Sequence, residues 1–372
     1  MDVIAYGTEK ASAELGPLKF TRRDVRAGEI AIEISHCGVC HSDLHQARDD
    51  WDNTVWPCIP GHEIVGKVIE TGDGVTRFKV GDRAGVGCMV NSCQRCENCQ
   101  IGHEQYCTGP KSCTLTYNGP KKPDGTNSYG GYSTGIIVRE EFGITIPDAI
   151  ASEHAGPILC AGITTYQPMK YFNLQKGQTL GVAGVGGLGH MAVQIGKALG
   201  AKVVGITTSP EKKQAILDLG ADEVLVMDDE DALEKAAQSI DLIVDTIPYK
   251  HDINPYVKLV KAKGQIAVVG NFLGFDDVDT AQLVFQHVGI TGSLIGGIAD
   301  TQEIIDLCAE HDIRPEIELI KMDEINSAFK RMQEEDVRFR HVIDMDSLRS
   351  DSDAAGKAVE VDDPERGEVV GA

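Results

Sequence analysis

Thr179-Leu180-Gly181-Val182-Ala183-Gly184-Val185-Gly186-Gly187-Leu188-Gly189 decides how the second half of this chain folds. Thr179 to Ala183 is an apolar run of strand character, and His190 to Leu199 beyond it has helical spacing. Between them, Gly184-Val185-Gly186-Gly187-Leu188-Gly189 fits G-x-G-x-x-G. Gly184 allows the tight turn, Gly186 lets backbone amides approach a pyrophosphate, and Gly189 permits close helix–strand packing. Gly187 and Leu188 complete the turn, and the helix N-terminus adds partial positive charge for phosphate. With 41 glycines, chance matches to this pattern are easy. The strand before it and the helix after it are what favour a dinucleotide over a glycine-rich turn without a ligand.

Further strands read outward from this point at Val203–Ile206, Val224–Val226, Leu242–Asp245, Ile266–Val269 and Ile290–Leu294, with helical windows between them. Apolar strands separated by helices predict a Rossmann doubly wound parallel sheet of six strands over 151–296. Residues 1–150 read as short β-branched strands punctuated by glycine, a β-rich domain. The stretch 297–346 ends in a strand, Phe339 to Asp344, that is expected to rejoin the first domain. The tail 347–372 is polar and acidic without periodicity and is expected to be disordered. The fold class is α/β.

The end of the second strand selects the cofactor. An NAD site usually places an acid about 20 residues beyond the glycines, on the ribose 2′-OH. Here Thr207-Thr208-Ser209 stands there, followed by Lys212 and Lys213. Hydroxyls and a lysine suit a 2′-phosphate that an aspartate would repel, so the expectation is NADP(H). A solvated helix start is the plainer account of the lysines, although cations are unfavourable at that end of a helix.

Cys93, Cys96, Cys99 and Cys107 follow the spacing C-x2-C-x2-C-x7-C. Four thiolates on so short a leash suit one tetrahedral Zn2+ with no position open to water, hence a structural ion. A redox or disulfide cluster is the competing reading, disfavoured in a reducing cytosol.

Composition sets the bounds. A chain of 372 residues exceeds one ordinary core, so two domains are expected. The N-terminus lacks the basic start and apolar run of a signal peptide, and no window reaches the roughly 18 apolar residues of a membrane helix. The expected location is cytoplasmic. With 57 acidic against 35 basic residues the formal charge is −22, which repels phosphate backbones and anionic membranes, so neither nucleic acid nor membrane is expected as a partner. A salt-adapted host and an ordinary acidic enzyme both fit that charge.

Cys40, His62 and Cys160 offer good ligands too far apart in sequence for spacing to join them. However, the order Gly38-Val39-Cys40-His41-Ser42-Asp43, Gly61-His62-Glu63, the four cysteines, Cys160-Ala161-Gly162 and then the glycine turn resembles the zinc-dependent medium-chain alcohol dehydrogenases. The resemblance spans residues 1 to about 346. It is most similar to the cinnamyl-alcohol-dehydrogenase branch with its NADP-dependent broad-range aldehyde reductases, notably in Leu159–Tyr166 and Gly292–Gly297.

That resemblance implies a GroES-like catalytic domain and a catalytic zinc on Cys40, His62 and Cys160, with Glu63 as an alternate ligand. It implies that Asp43 orients His62, that Ser42 bonds the alcohol oxygen, and that a proton passes by way of the nicotinamide ribose to His45. Thr164, Ser293 and Ile295 would lie at the cofactor with Thr207 and Thr208, and Ser209 and Lys213 would hold the 2′-phosphate. Trp51 would line the substrate pocket, with core packing a close competitor. Cys37, Cys58, Cys88, Cys113 and Cys308 read as core residues. The implied reaction is hydride transfer between NADP(H) and a primary alcohol or aldehyde, aromatic ones included, in a homodimer. The alternatives are an NAD-dependent polyol or secondary-alcohol dehydrogenase on the same scaffold, and a zinc protein that has lost catalysis.

Overall fold

A computed structural model describes residues 1–12, 14–109, 113–118, 128–270, 273–334 and 340–362. Phe339, Lys111, most of the loop 111–128 and the tail beyond Asp362 lie outside the described residues. The chain forms two compact units, one of residues 1–160, 296–309 and 314–372, the other of residues 161–295 and 310–313. The first unit therefore runs ten residues past the boundary expected at 150, because helix Ser152–Pro157 packs on strands Glu29–Gly38 and Ile64–Thr71.

In the second unit six parallel strands take the order Glu223–Val226, Lys202–Thr207, Thr179–Ala183, Ile240–Asp245, Val260–Val268, Gly289–Gly292. The six-stranded, doubly wound sheet expected from the sequence is there. Leu180, Val182, Ile206, Ile243 and Val244 are wholly buried, as strands covered on both faces require. The order reverses between the strands ending at Ala183 and Asp245, and a crevice at the carboxyl ends of such strands is where ligands bind in this architecture.

The first unit is built on a seven-stranded sheet. Strand Arg340–Asp344 returns to it and pairs antiparallel with Glu29–Gly38. Ile30, Ile32, Ile34, Ile64 and Phe142 are wholly buried beneath it. A separate lobe hangs on the two-stranded pair Met89–Asn91 and Thr114–Leu115.

The tail departs from expectation. Asp351 caps helix Ser352–Lys357 by accepting from the backbone of Asp353 and Ala354, and Val359 pairs with Leu18 in parallel. Leu348 and Ala354 are buried in the core of the first unit. Two apolar anchors at the right spacing order the segment as far as Asp362, although its composition is polar.

Candidate functional site

Cys40 stands at the N-cap of helix His41–Arg48, with Asp43 in the first turn. The Cys40 amide donates to Asp43 Oδ2 at 2.9 Å, half of a capping box that fixes the thiol and the acid together. Asp43 is wholly buried and also accepts from the Gly61 amide at 2.9 Å and the Tyr132 hydroxyl at 3.0 Å. Tyr117 is buried with its ring 5.8 Å from that of His62, and burial and the Asp43 charge raise its phenol well above the usual pKa. Gly61 has φ +100, and a side chain there would strike Tyr132 and Gly131, so only glycine brings His62 and Glu63 to this point.

Cys40, His62, Glu63 and Cys160 each present a ligand atom within 4.8 Å of the others, and all four are buried. Cys160 arrives on the π-helical turn Ile158–Gly162 that follows Pro157. His62 Nε2 lies 3.2 Å from Cys160 Sγ, while its Nδ1 lies 3.3 Å from Asp43 Oδ1. Burial works against charge on the His62 ring, but Asp43 outweighs it and raises its pKa well above the usual value. The bond from Cys160 holds the Cys40 thiol well below its ordinary pKa, and the same bond pushes Cys160 up. Glu63 is wholly buried with Oε1 paired to Arg340 Nη2, and Oε2 has no hydrogen-bond partner. Two thiols, an imidazole and an orphaned carboxylate oxygen converging at one buried point fit one zinc ion.

Cys88, read as core packing, is half-buried beside this cluster: its thiol donates to the Leu159 carbonyl at 3.9 Å, and the neighbouring Cys160 thiol lowers its pKa. The pairing of Ile64 with Val86 carries the chain just past that strand to the cluster of Cys40, His62 and Cys160, a placement set by register that no spacing reveals. Spacing gives Tyr117, Tyr132 and Arg340 no link to this site either. The one available sign was their position, next to Asn118, after Gly130-Gly131 and in the returning strand.

Ser42 Oγ lies 3.7 Å from the Cys40 thiol. His45 is half-buried, with Nδ1 2.8 Å from Asp50 Oδ2, and its ring lies 5.4 Å from that of half-buried Trp51.

In the lobe, Cys93–Cys99, Cys96–Cys99 and Cys96–Cys107 sulfurs are 3.9, 3.5 and 4.0 Å apart. A tetrahedron with zinc–sulfur bonds of about 2.3 Å has edges of about 3.8 Å, whereas a disulfide needs about 2.05 Å. None of the four cysteines is in a disulfide, and the spacing of the cluster matches a zinc site. Backbone amides of Cys99 and Thr108 pull the Cys96 thiol down to about 5. The lobe is braced from the returning segment, where the Ile298 amide donates to Glu104 Oε2 at 3.1 Å.

In the second unit the glycine turn begins with Gly184 at φ +79. Gly186 has open space where a Cβ would stand, and a Cβ at Gly189 would strike the Gly184 carbonyl. Close approach for a pyrophosphate is thus built into the backbone. Thr207 ends the neighbouring strand, Thr208 and Ser209 follow it, and the Ser209 amide donates to Thr207 Oγ1 at 3.1 Å. Lys213 opens helix Lys213–Asp218 with its side chain exposed. No acid occupies positions 207–209. Thr164 is buried in helix Ile163–Tyr171. Ser293 and Ile295 lie just past the last strand, and Ile295 holds φ 35, a strained value for a β-branched residue.

Residues 26–148 match the alcohol dehydrogenase GroES-like domain, and residues 187–310 match the zinc-binding dehydrogenase domain. The NADP-dependent alcohol dehydrogenase C 1 of Mycolicibacterium smegmatis is 45% identical over 348 residues, 94% of this chain and 99% of its own. The chain belongs to the zinc-dependent medium-chain alcohol dehydrogenases. The aldehyde reductase YahK of Escherichia coli is 42% identical over 94% of this chain and 99% of its own. A solved cinnamyl alcohol dehydrogenase of Sorghum bicolor superposes with a TM-score of 0.89 at 39% identity, covering 93% of this chain and 98% of that one.

Proposed function

We propose that this enzyme is an NADP-dependent zinc alcohol dehydrogenase that works mainly as a reductase of primary aldehydes, aromatic ones included. The convergence of Cys40, His62, Glu63 and Cys160 carries the reading, because three of these donors leave a position for a substrate oxygen. When bound, zinc supplies Lewis acidity at the carbonyl oxygen and NADPH supplies the hydride.

The chain's own residues do the rest. Asp43 holds the His62 ring in one tautomer. Ser42, beside the Cys40 sulfur, donates to the substrate oxygen. His45 holds the proton that completes the alcohol, and Asp50 orients its ring. Glu63 serves as the alternate ligand. Trp51, its ring tilted beside that of His45, lines the substrate approach. Gly184, Gly186, Gly187, Leu188 and Gly189 cradle the pyrophosphate, while Thr164, Thr207, Thr208, Ser293 and Ile295 line the rest of the cofactor. Ser209 and Lys213 hold the 2′-phosphate, a reading supported by the hydroxyls that stand where an NAD enzyme places an acid.

An NADPH-oxidation screen across aromatic and aliphatic aldehydes, run before and after complete chelation, tests the reading. Turnover that survives chelation overturns the metal role. A kcat/KM preference for NADH overturns the cofactor and favours a polyol or secondary alcohol as substrate.

The quaternary reading is a homodimer. Strand Gly289–Gly292 is an open sheet edge, and the helix before it leaves Val284 77% and Phe285 88% exposed. An apolar pair of that kind at an unpaired edge is costly in a monomer. No helix among the described residues is long and apolar enough to cross a membrane. Our reading of the location is cytoplasmic, and the acidic surface disfavours nucleic-acid partners.

A further inference from the structure

The loop leaving strand Ile240–Asp245 is fastened to the first glycine of the cofactor turn. The Thr246 amide donates to the Ala183 carbonyl at 3.0 Å, and its hydroxyl donates to the carbonyls of Ala183 and Gly184. A Cβ on Gly184 would lie 2.8 Å from Ile247 Cγ1, so Ile247 forms the back wall of that turn. The Ile247 amide in turn donates to Asp245 Oδ1 at 3.1 Å. Asp245 is 1% exposed, and the proposed chemistry gives it no task.

Its other oxygen, Oδ2, faces His251 Nε2 at 3.2 Å, an ion pair without an aligned hydrogen bond. His251 Nδ1 is 2.8 Å from the Tyr249 carbonyl, so that nitrogen carries a proton and donates. A neutral ring would then turn a lone pair toward a buried carboxylate. Only the imidazolium, with both nitrogens protonated, suits both neighbours. Phe275 and Tyr256 stand edge-on to the ring at 5.1 and 5.8 Å and keep it in place.

We propose that His251 is a positioning residue for the dinucleotide: its imidazolium ties the 246–250 loop to Asp245 and so fixes the wall behind the Gly184 turn. The proposal rests on the cofactor reading above, and it gives binding of NADPH a dependence on one proton outside the metal centre. Burial opposes charge on His251, but Asp245, the Tyr249 carbonyl and Asp252 outweigh it and raise its pKa. The other ionisable groups nearby are the Tyr256 phenol, pushed up to about 12 by burial, and Lys250, which is paired to Asp276 at 3.0 Å. Because the folded-state pKa is raised, the tie is complete below the ordinary histidine value and is lost as pH rises through the raised one.

The test is an NADPH titration of the zinc-loaded enzyme from pH 6 to 9, followed by nicotinamide fluorescence. For the wild type, Kd should rise on the alkaline side. His251→Leu should bind about tenfold more weakly at pH 6.5 and lack the alkaline limb. Its KM for aldehyde at saturating NADPH should stay at the wild-type value. His251→Gln, whose amide donates to Asp245 without titrating, should restore much of the affinity with a flat profile. It also keeps the proposal testable where the leucine variant fails to fold. A leucine variant with wild-type Kd and profile, or a glutamine variant that keeps the alkaline limb, overturns the proposal. The wild-type titration alone tests the cofactor reading, so the two failures are told apart.

Discussion

Asp43 and His62 meet with carboxylate Oδ1 3.3 Å from ring Nδ1, while the far nitrogen of the same ring lies 3.2 Å from the Cys160 sulfur. The acid thus sets the plane of the ring and turns Nε2 toward the two thiols. Two backbone amides and the Tyr132 phenol hold the acid itself. Carboxylates behind ligating histidines usually govern metal affinity by about 10–100-fold. Asp43→Ala should weaken zinc by that order in chelator competition. Zinc affinity equal to that of the wild type would remove Asp43 from the metal's support.

Glu63 and Arg340 form an ion pair with side chains 0% and 3% exposed. Removing one partner of such a pair leaves an uncompensated buried charge and costs about 3–5 kcal/mol, whereas replacing both costs far less. Arg340→Met should therefore lower stability by that order in urea unfolding, and the double variant Glu63→Gln/Arg340→Met should recover most of it. Equal losses in the single and double variants would mean that the arginine acts through packing.

The two cysteine clusters should fail differently. Cys40→Ala removes one of four convergent ligands in a unit with a large apolar core, so turnover should vanish with little change in Tm. Cys96→Ala breaks a lobe held by short elements and its own sulfurs. It should lower Tm and zinc stoichiometry together, as for structural sites whose metal contributes folding energy. Differential scanning calorimetry with metal analysis separates the two outcomes.

What could be read in the sequence was whatever repeats locally. The strand–glycine–helix unit at Thr179–Leu199 and the closely spaced lobe cysteines are decided by neighbours along the chain, and both are present as expected. Contacts made by register were hidden. Cys88 reaches the Leu159 carbonyl just past the strand in which Val86 pairs with Ile64, and Arg340 reaches Glu63 because the returning strand pairs with Glu29–Gly38. Neither pairing leaves a periodic trace. The ordered tail was missed for a related reason: Leu348, Ala354 and Val359 anchor it one residue at a time in a polar segment.

His190 is wholly buried at the start of helix Gly189–Ala198, with Nδ1 donating to the Gly186 carbonyl at 3.3 Å. Burial pushes its pKa from 6.5 down to about 4, the direction expected of a cation denied water at a helix N-terminus. The unfolded chain binds the proton more readily, so the neutral ring's contribution is full above pH 6.5 and is lost as pH falls toward 4. The difference amounts to about 3 kcal/mol. Urea midpoints should fall across that window, and His190→Gln should flatten the slope. An unchanged slope would assign the acid sensitivity to other groups.

A formal charge of −22 on 372 residues makes self-repulsion a standing cost to the compact state. With 57 acidic against 35 basic residues the surface is dominated by carboxylates, and the Debye length shrinks from about 10 Å at 0.1 M salt to about 3 Å at 1 M. Long-range repulsion between carboxylates should therefore fade in molar KCl, while the short buried pairs Arg23–Glu29 and Glu63–Arg340 keep most of their strength. Tm should climb steadily between 0.1 and 2 M KCl, and most of the gain should come below 1 M, where screening changes fastest. Potassium chloride is the informative salt, because sulfate would also strengthen apolar burial and obscure the cause. A Tm that stays level or falls in KCl would show that carboxylate repulsion is already relieved in the fold, and the acidic surface would then need another explanation than salt adaptation.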